Sequence, residues 1–235
     1  MQEIAANLVA VRQRIHAACL RAGRSPDTVE LIAVSKTLPA EAVRVACEAG
    51  QTHFAESRLQ EALPKIDALS GNLHWHFIGR VQRNKVRKLL PSFEVIHAMD
   101  SLRLATYADE IAAELGLFPK LMLQVNVADE ASKGGFEPAQ LRSEMDALLR
   151  LKRLDILGLM AIPPAAPDAE SARHWFVRVR DLRDSLEREF GLSLPALSMG
   201  MSGDYEVAVE EGATHVRVGS AIFGQRAYQV DGEIG

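Results

Sequence analysis

Eight short apolar runs, each followed by a stretch with helical spacing, recur along this chain. They fall at 31–35, 52–55, 75–78, 95–99, 121–127, 156–161, 196–199 and 216–219. Most are rich in Val, Ile and Leu, and most end on glycine or a small polar cluster. Runs of this kind, alternating with helices, suit parallel strands joined by helical crossovers. Eight such units in 235 residues predict an α/β fold, a closed (β/α)8 TIM-type barrel spanning residues 1–235 as a single domain. An open doubly wound sheet is the competing architecture. Its glycine fingerprint is missing after the first run, where the chain reads Ser35-Lys36-Thr37. Ahead of that run, within residues 1–22, the apolar positions Ile4, Leu8, Val11, Ile15 and Leu20 predict an extra helix on the outside of the barrel, stopped by Gly23 and Pro26.

Composition limits the function classes. The net charge of −4 gives no global attraction to nucleic acid or to an anionic membrane. No apolar run is long enough to span a bilayer, and the start, Met1-Gln2-Glu3, does not read as a secretory leader. The expected compartment is the cytoplasm. Cys19 and Cys47 fall on helical patterns without metal spacing and read as small hydrophobes in a reducing compartment.

Barrels of this type build their sites at the C-terminal ends of the strands. Lys36 stands at the mouth of the first strand. An apolar wall there would lower its pKa and free the amine to attack an aldehyde; a solvated lysine is the alternative. Ser198-Met199-Gly200-Met201-Ser202-Gly203-Asp204 and Arg217-Val218-Gly219-Ser220 close the last two strands and open helices. Small residues and free N–H groups after the seventh and eighth strands are the usual phosphate site of such barrels, although helix capping by Ser202, Asp204 and Ser220 would use the same residues. Arg217 alternates with Val216 and Val218, so it is expected to face the interior, where it needs an acceptor such as Glu56. The basic stretch from Gly79 to Lys88 reads as a solvated helix face or as an anchor for an anionic ligand or partner. His74 and His76 share a strand face, but no third residue at a matching spacing makes them a metal site.

In order along the chain, Ala33-Val34-Ser35-Lys36-Thr37, Trp75-His76-Phe77-Ile78-Gly79-Arg80-Val81-Gln82-Arg83-Asn84-Lys85, Ser132-Lys133-Gly134-Gly135-Phe136, Leu157-Gly158-Leu159-Met160-Ala161-Ile162-Pro163, Leu197-Ser198-Met199-Gly200-Met201-Ser202 and Arg217-Val218-Gly219-Ser220-Ala221-Ile222-Phe223-Gly224 resemble the pyridoxal 5'-phosphate (PLP) homeostasis proteins. The resemblance covers nearly the whole chain. It implies a fold-type III PLP-binding barrel like the N-terminal domain of alanine racemase, with PLP as a Schiff base on Lys36. It places the phosphate near Ser202, Gly219 and Ser220, and Arg217 beside the pyridine nitrogen. The expected cofactor-binding set is Lys36, Ser57, His76, Met201, Ser202, Arg217, Gly219 and Ser220, with no metal. One departure is the Phe54-Ala55-Glu56-Ser57 segment, where the family reads Phe-Gly-Glu-Asn. Ser57 offers one hydroxyl in place of an amide, and Ala55 restricts a backbone position that glycine would leave free.

Two functions follow from the resemblance. One is a monomeric carrier in PLP (vitamin B6) homeostasis, with PLP-dependent apo-enzymes as recipients and no turnover of its own. The other is a racemase-like PLP enzyme. Racemases of this fold take their second acid-base group from a tyrosine of another domain, and Tyr107, Tyr205 and Tyr228 do not match that role, which favours the carrier. An arginine at the pyridine nitrogen also weakens the ring as an electron sink. Lys133, between Ser132 and two glycines, is expected on a mobile loop that helps admit or release the cofactor, or simply in solvent.

Overall fold

Strand β1 (Glu30–Val34) pairs in parallel with β2 (His53–Glu56), which is followed around the sheet by β3 (His74–Phe77), β4 (Val95–Met99), β5 (Lys120–Val125), β6 (Asp155–Ala161), β7 (Ala196–Ser198) and β8 (His215–Val218). β8 returns to β1, with Glu30 opposite His215 and Ala33 opposite Val218, so the sheet closes into a barrel. This computed structural model describes residues 2–69, 71–128 and 134–225. The helices are α1 (Gln2–Arg21), α2 (Ala40–Glu48), α3 (Leu59–Ala68), α4 (Val86–Leu89), α5 (Leu102–Leu115), α6 (Pro138–Leu149), α7 (Arg173–Phe190), α8 (Tyr205–Glu210) and α9 (Ser220–Phe223). Among the described residues no helix is long and apolar enough to cross a membrane.

The eight apolar runs are the eight strands, with every end within two residues of its expected place. The largest difference is in β5, expected to continue through Val127. Its edge is instead taken by the segment at Phe136: Asn126 N donates to Phe136 O and Phe136 N donates to Gln124 O. The chain therefore leaves the sheet after Val125. α1 packs outside the barrel against α2, α8 and α9, as its stripe predicts. Leu20 is the exception, 63% exposed, because five residues from Ile15 overshoot the helical repeat. Ala18 and Cys19 are buried in its place.

Most apolar side chains lie between the strands and the helices. The lumen is different. His53, His76, His97 and His215 come from β2, β3, β4 and β8, and the His215 ring centroid lies 6.4 Å from that of His76 and 6.0 Å from that of His97. β8 borders neither β3 nor β4, so only side chains that point into the lumen can meet this way. His53 Nδ1 lies 3.0 Å from His76 Nε2, and His76 Nδ1 lies 2.9 Å from His97 Nε2. His97 Nδ1 lies 2.8 Å from Ser198 Oγ. The histidine pair noted in the sequence thus belongs to a larger cluster, and among the described residues no group of three or more His, Cys, Asp or Glu is arranged to hold a metal ion.

Arg217 does face the lumen, but its partner is not Glu56. It donates to Ser198 Oγ at 2.6 Å and to Ala161 O at 2.8 Å. The reason is strand alternation: His53 points inward, so Glu56, three residues on, points outward. There it receives Lys65 Nζ from α3 and Ser35 Oγ, each at 2.7 Å. Ala55 sits in regular strand geometry, since among the described residues Thr37 is the one non-glycine with positive φ. The expected restriction by Ala55 therefore has no effect on this backbone.

Burial holds the pKa of His53, His76, His97 and His215 below the ordinary histidine value of 6.5, and that of His215 falls to about 4. These pKa values are lower in the folded than in the unfolded chain. Stability is therefore complete above about pH 6.5 and is lost as the pH falls through the window toward 4. Glu30 and Asp204, raised by burial, offset part of the loss. Urea unfolding should show a net decline of at least about 1.4 kcal/mol per pH unit between roughly pH 6.5 and 5. A flat profile there would show that the lumen histidines are charged or solvated.

Candidate functional site

The C-terminal ends of β1 to β3 and β6 to β8 surround a cavity of about 470 Å³. That is within the range of about 300–1,000 Å³ usual for small-ligand sites. Lys36, Ser57, Met201, Ser202, Arg217, Gly219 and Ser220 all line it. These are the expected residues apart from His76. His76 is 2% exposed and lies deeper in the lumen, with both ring nitrogens engaged by other histidines.

Lys36 is half-buried, and the chain on either side of it is fixed. On one side, Ser35 N donates to Ala55 O at 3.0 Å, and Ser35 O accepts from the buried Lys65 Nζ at 2.9 Å. On the other, Thr37 adopts φ 65°, a conformation that a β-branched residue enters at a cost of about 1–3 kcal/mol. Its N–H donates to Glu61 Oε2 at 3.2 Å, and Arg58 braces Glu61 at 2.9 Å. A turn strained at Thr37 and anchored at Ser35 delivers the lysine to the cavity wall.

The adjoining wall is built from the loops after β7 and β8, β8 being the neighbour of β1. Ser202 Oγ accepts from Gly219 N at 3.1 Å and from Ala221 N at 3.3 Å. Asp204 Oδ1 accepts from Met201 N at 2.6 Å and holds the loop that carries Ser202. The turn needs Gly200 at φ 92°, where a Cβ would lie 2.6 Å from Ala208 Cβ. The capping expected of Ser202 is thus realised, but on the segment after β8. Arg217 closes the floor of the cavity. Burial lowers its pKa to about 10, with Asp204 acting in the opposite sense, so it is a cation at neutral pH.

The cavity adjoins a second of about 230 Å³, sharing Ile78 and Ile162 and reaching Arg80, Asp100 and Gln124. The basic stretch is not one helix face. Arg80 and Arg83 precede α4 and, with Arg103 of α5, line an exposed groove, where Arg83 stacks on Tyr107 at 4.2 Å. Lys133 and Ser132 lie outside the described residues.

Sequence reasoning missed the lumen cluster of His53, His97, His215 and Ser198. The available signal was a histidine at an inward position of several runs. It also missed the clamp by Lys65, which nothing in a helical pattern distinguishes from a surface lysine.

The profile of the alanine racemase N-terminal domain family matches residues 2–227. A relative from Pseudomonas aeruginosa named pyridoxal phosphate homeostasis protein is 46% identical over 230 residues, covering 97% of this chain and 98% of its own length. A relative of the same name from Aquifex aeolicus is 44% identical over 219 residues, 93% of this chain and 96% of its own. Among solved structures, PipY of Synechococcus elongatus with PLP bound superposes with a TM-score of 0.82 at 42% identity, covering 94% of this chain and all of that one. The alanine racemase of Clostridium difficile, at 17% identity and a TM-score of 0.74, shares the fold over 98% of this chain and 58% of its own.

Gly79 packs directly against the backbone of Ser57, a residue of the cavity wall. A Cβ at Gly79 would lie 2.0 Å from Ser57 O and 2.8 Å from Ser57 Cα, so the backbone itself would have to move. Gly79→Ala should destabilise the fold by about 1–3 kcal/mol in urea unfolding. A change below about 0.5 kcal/mol, the range of an indifferent surface substitution, would mean that this packing is not rigid.

Proposed function

The chain belongs to the pyridoxal phosphate homeostasis proteins, within the alanine racemase N-terminal domain family, and from that membership we propose that it holds PLP at the mouth of its barrel, as a Schiff base on Lys36, and acts as a carrier of the cofactor without turnover of its own. The observation that carries this reading is the convergence of Lys36, Arg217, Ser202, Gly219 and Ser220 on one cavity.

The residues present suit the ligand. Lys36 offers an amine for the aldehyde. Arg217 offers a buried donor to the ring nitrogen. The N–H groups of Gly219 and Ala221 and the hydroxyls of Ser202 and Ser220 offer the donors that a phosphate needs. Ser57, which also lines the cavity, would offer a hydroxyl in place of the family's amide. PLP, when bound, supplies an aldehyde reactive toward amines and a ring that accepts electron density. Arg217, a cation throughout the neutral range, would donate to the ring nitrogen and keep a proton off it, which would limit that acceptor power.

Absence of turnover is supported by the cavity wall. Among its described lining residues the titratable groups are Lys36 and Arg217. Tyr205 is buried under α1 and Tyr107 lies beside Arg83, so neither reaches the cavity; Tyr228 is outside the described residues. A racemase needs an acid-base group on each face of the ring. In this reading the protein is a cytoplasmic, monomeric, single-domain carrier, with PLP-dependent apo-enzymes as recipients.

Borohydride reduction of the PLP-treated protein, followed by peptide mass mapping, should place the pyridoxyl group on Lys36. Label on another lysine with Lys36 unmodified would refute the attachment site.

Incubation of alanine or serine with the PLP-loaded protein in heavy water should leave the Cα proton exchanging at close to the rate with free PLP. General acid-base catalysis would raise that rate by about 10²–10⁴-fold. Such a gain, abolished in Lys36→Ala, would make the protein an enzyme.

A further inference from the structure

The lumen hydrogen bonds run end to end, and donor counting fixes their direction. A guanidinium can only donate, so Ser198 Oγ is the acceptor in its 2.6 Å contact with Arg217. Ser198 is fully buried, and among the described residues its other side-chain neighbour is His97 Nδ1 at 2.8 Å. A buried hydroxyl proton needs an acceptor, and His97 Nδ1 is the one in reach. That nitrogen is therefore unprotonated, and in a neutral imidazole the proton sits on Nε2. His97 Nε2–H then donates to His76 Nδ1 at 2.9 Å, and His76 Nε2–H to His53 Nδ1 at 3.0 Å. His53 Nε2–H is left facing Glu30 Oε2 at 3.5 Å. The opposite direction would orphan the Ser198 proton and set a lone pair of His53 against a carboxylate.

We propose that Ser198, His97, His76 and His53 are positioning residues for Arg217, forming a one-way chain from the cavity floor to Glu30 at the start of β1 that fixes which way the guanidinium points. The proposal deepens the reading of this cavity as a PLP site and rests on it for its ligand. An imidazolium carries N–H at both nitrogens, so charging any link sets two donors against each other and weakens the Ser198 side of the hold on Arg217, leaving Ala161 O as its other acceptor. Several groups bear on the chain's charge state. Glu30 and Arg12 act at its far end, His74, Glu94 and Lys120 around His53 and His76, and His215 and Asp204 near His97 and Arg217. Burial keeps the three linking imidazoles neutral at neutral pH, consistent with a single direction.

Nitrogen-15 NMR of histidine-labelled, cofactor-free protein at neutral pH reads the direction without any ligand. His53, His76 and His97 should all be Nε2–H tautomers, and Nδ1–H at His76 or His97 would overturn the proposal. PLP titration of two variants then reads the consequence. His76→Gln keeps one donor and one acceptor in the gap, whereas His76→Phe has neither. His76→Phe should bind PLP about tenfold more weakly, the effect expected for one lost partner of a charged network, and His76→Gln should stay near the parent. Unchanged binding in both, or equal loss in both, would show that the position only fills space. If His76→Phe does not fold, the tautomers of the parent protein decide. If the parent itself binds no PLP, the carrier reading fails while the NMR result still judges the chain.

Discussion

A guanidinium sealed at the head of a barrel lumen must be given acceptors, and much of this structure follows from how that demand is met. Arg217 draws on Ala161 O from β6 and Ser198 Oγ from β7, so one side chain ties together the ends of the three strands that carry the cavity floor. An unpaired charge at this depth would cost several kcal/mol. The polar lumen is the rest of the answer. Histidines fill the space that branched aliphatic side chains fill in most barrels, and they pass hydrogen bonds on where aliphatic groups would leave Ser198 stranded.

The barrel was legible in the sequence because parallel strands buried on both faces leave continuous apolar runs that need no partner to be recognised. The strand-end rule then pointed to Lys36, Arg217, Ser202, Gly219 and Ser220, which the fold brings together. What stayed hidden depends on contacts across the lumen. The partner of Arg217 is set by how far the strands slip past one another as the sheet closes, and nothing in the alternation along β8 reports that slip. Glu56 was an attractive acceptor on charge alone, and its phase in β2 excluded it. His76 carried a site assignment through the motif around it, while its depth in the lumen is a tertiary fact. Leu20 and the end of β5 failed for local reasons, a broken helical phase and a competing edge from Phe136.

The lysine end of the cavity is held by a different device. Glu56 and Lys65 form a buried ion pair at 2.7 Å, an arrangement that adds little net stability once desolvation is counted. Its value here is geometric. Glu56 takes the hydroxyl of Ser35 and Lys65 takes the carbonyl. Two helix-facing charges thus fix the residue before Lys36, just as Glu61 fixes the residue after it. The strain at Thr37 persists because both flanks are overdetermined.

Ser202 occupies the N–H groups of Gly219 and Ala221 that a phosphate in the proposed site would meet. With its hydroxyl on Gly219 N and Ala221 N, those donors are already satisfied within the chain itself. An anion there would either take the proton of the Ser202 hydroxyl, which the two N–H contacts leave available, or displace that hydroxyl and gain only the difference between a charge-assisted and a neutral hydrogen bond. The cavity therefore has a built-in competitor at a fixed, high local concentration. On the proposed carrier reading this would moderate residence time: such a site would select a phosphate by charge and still surrender it.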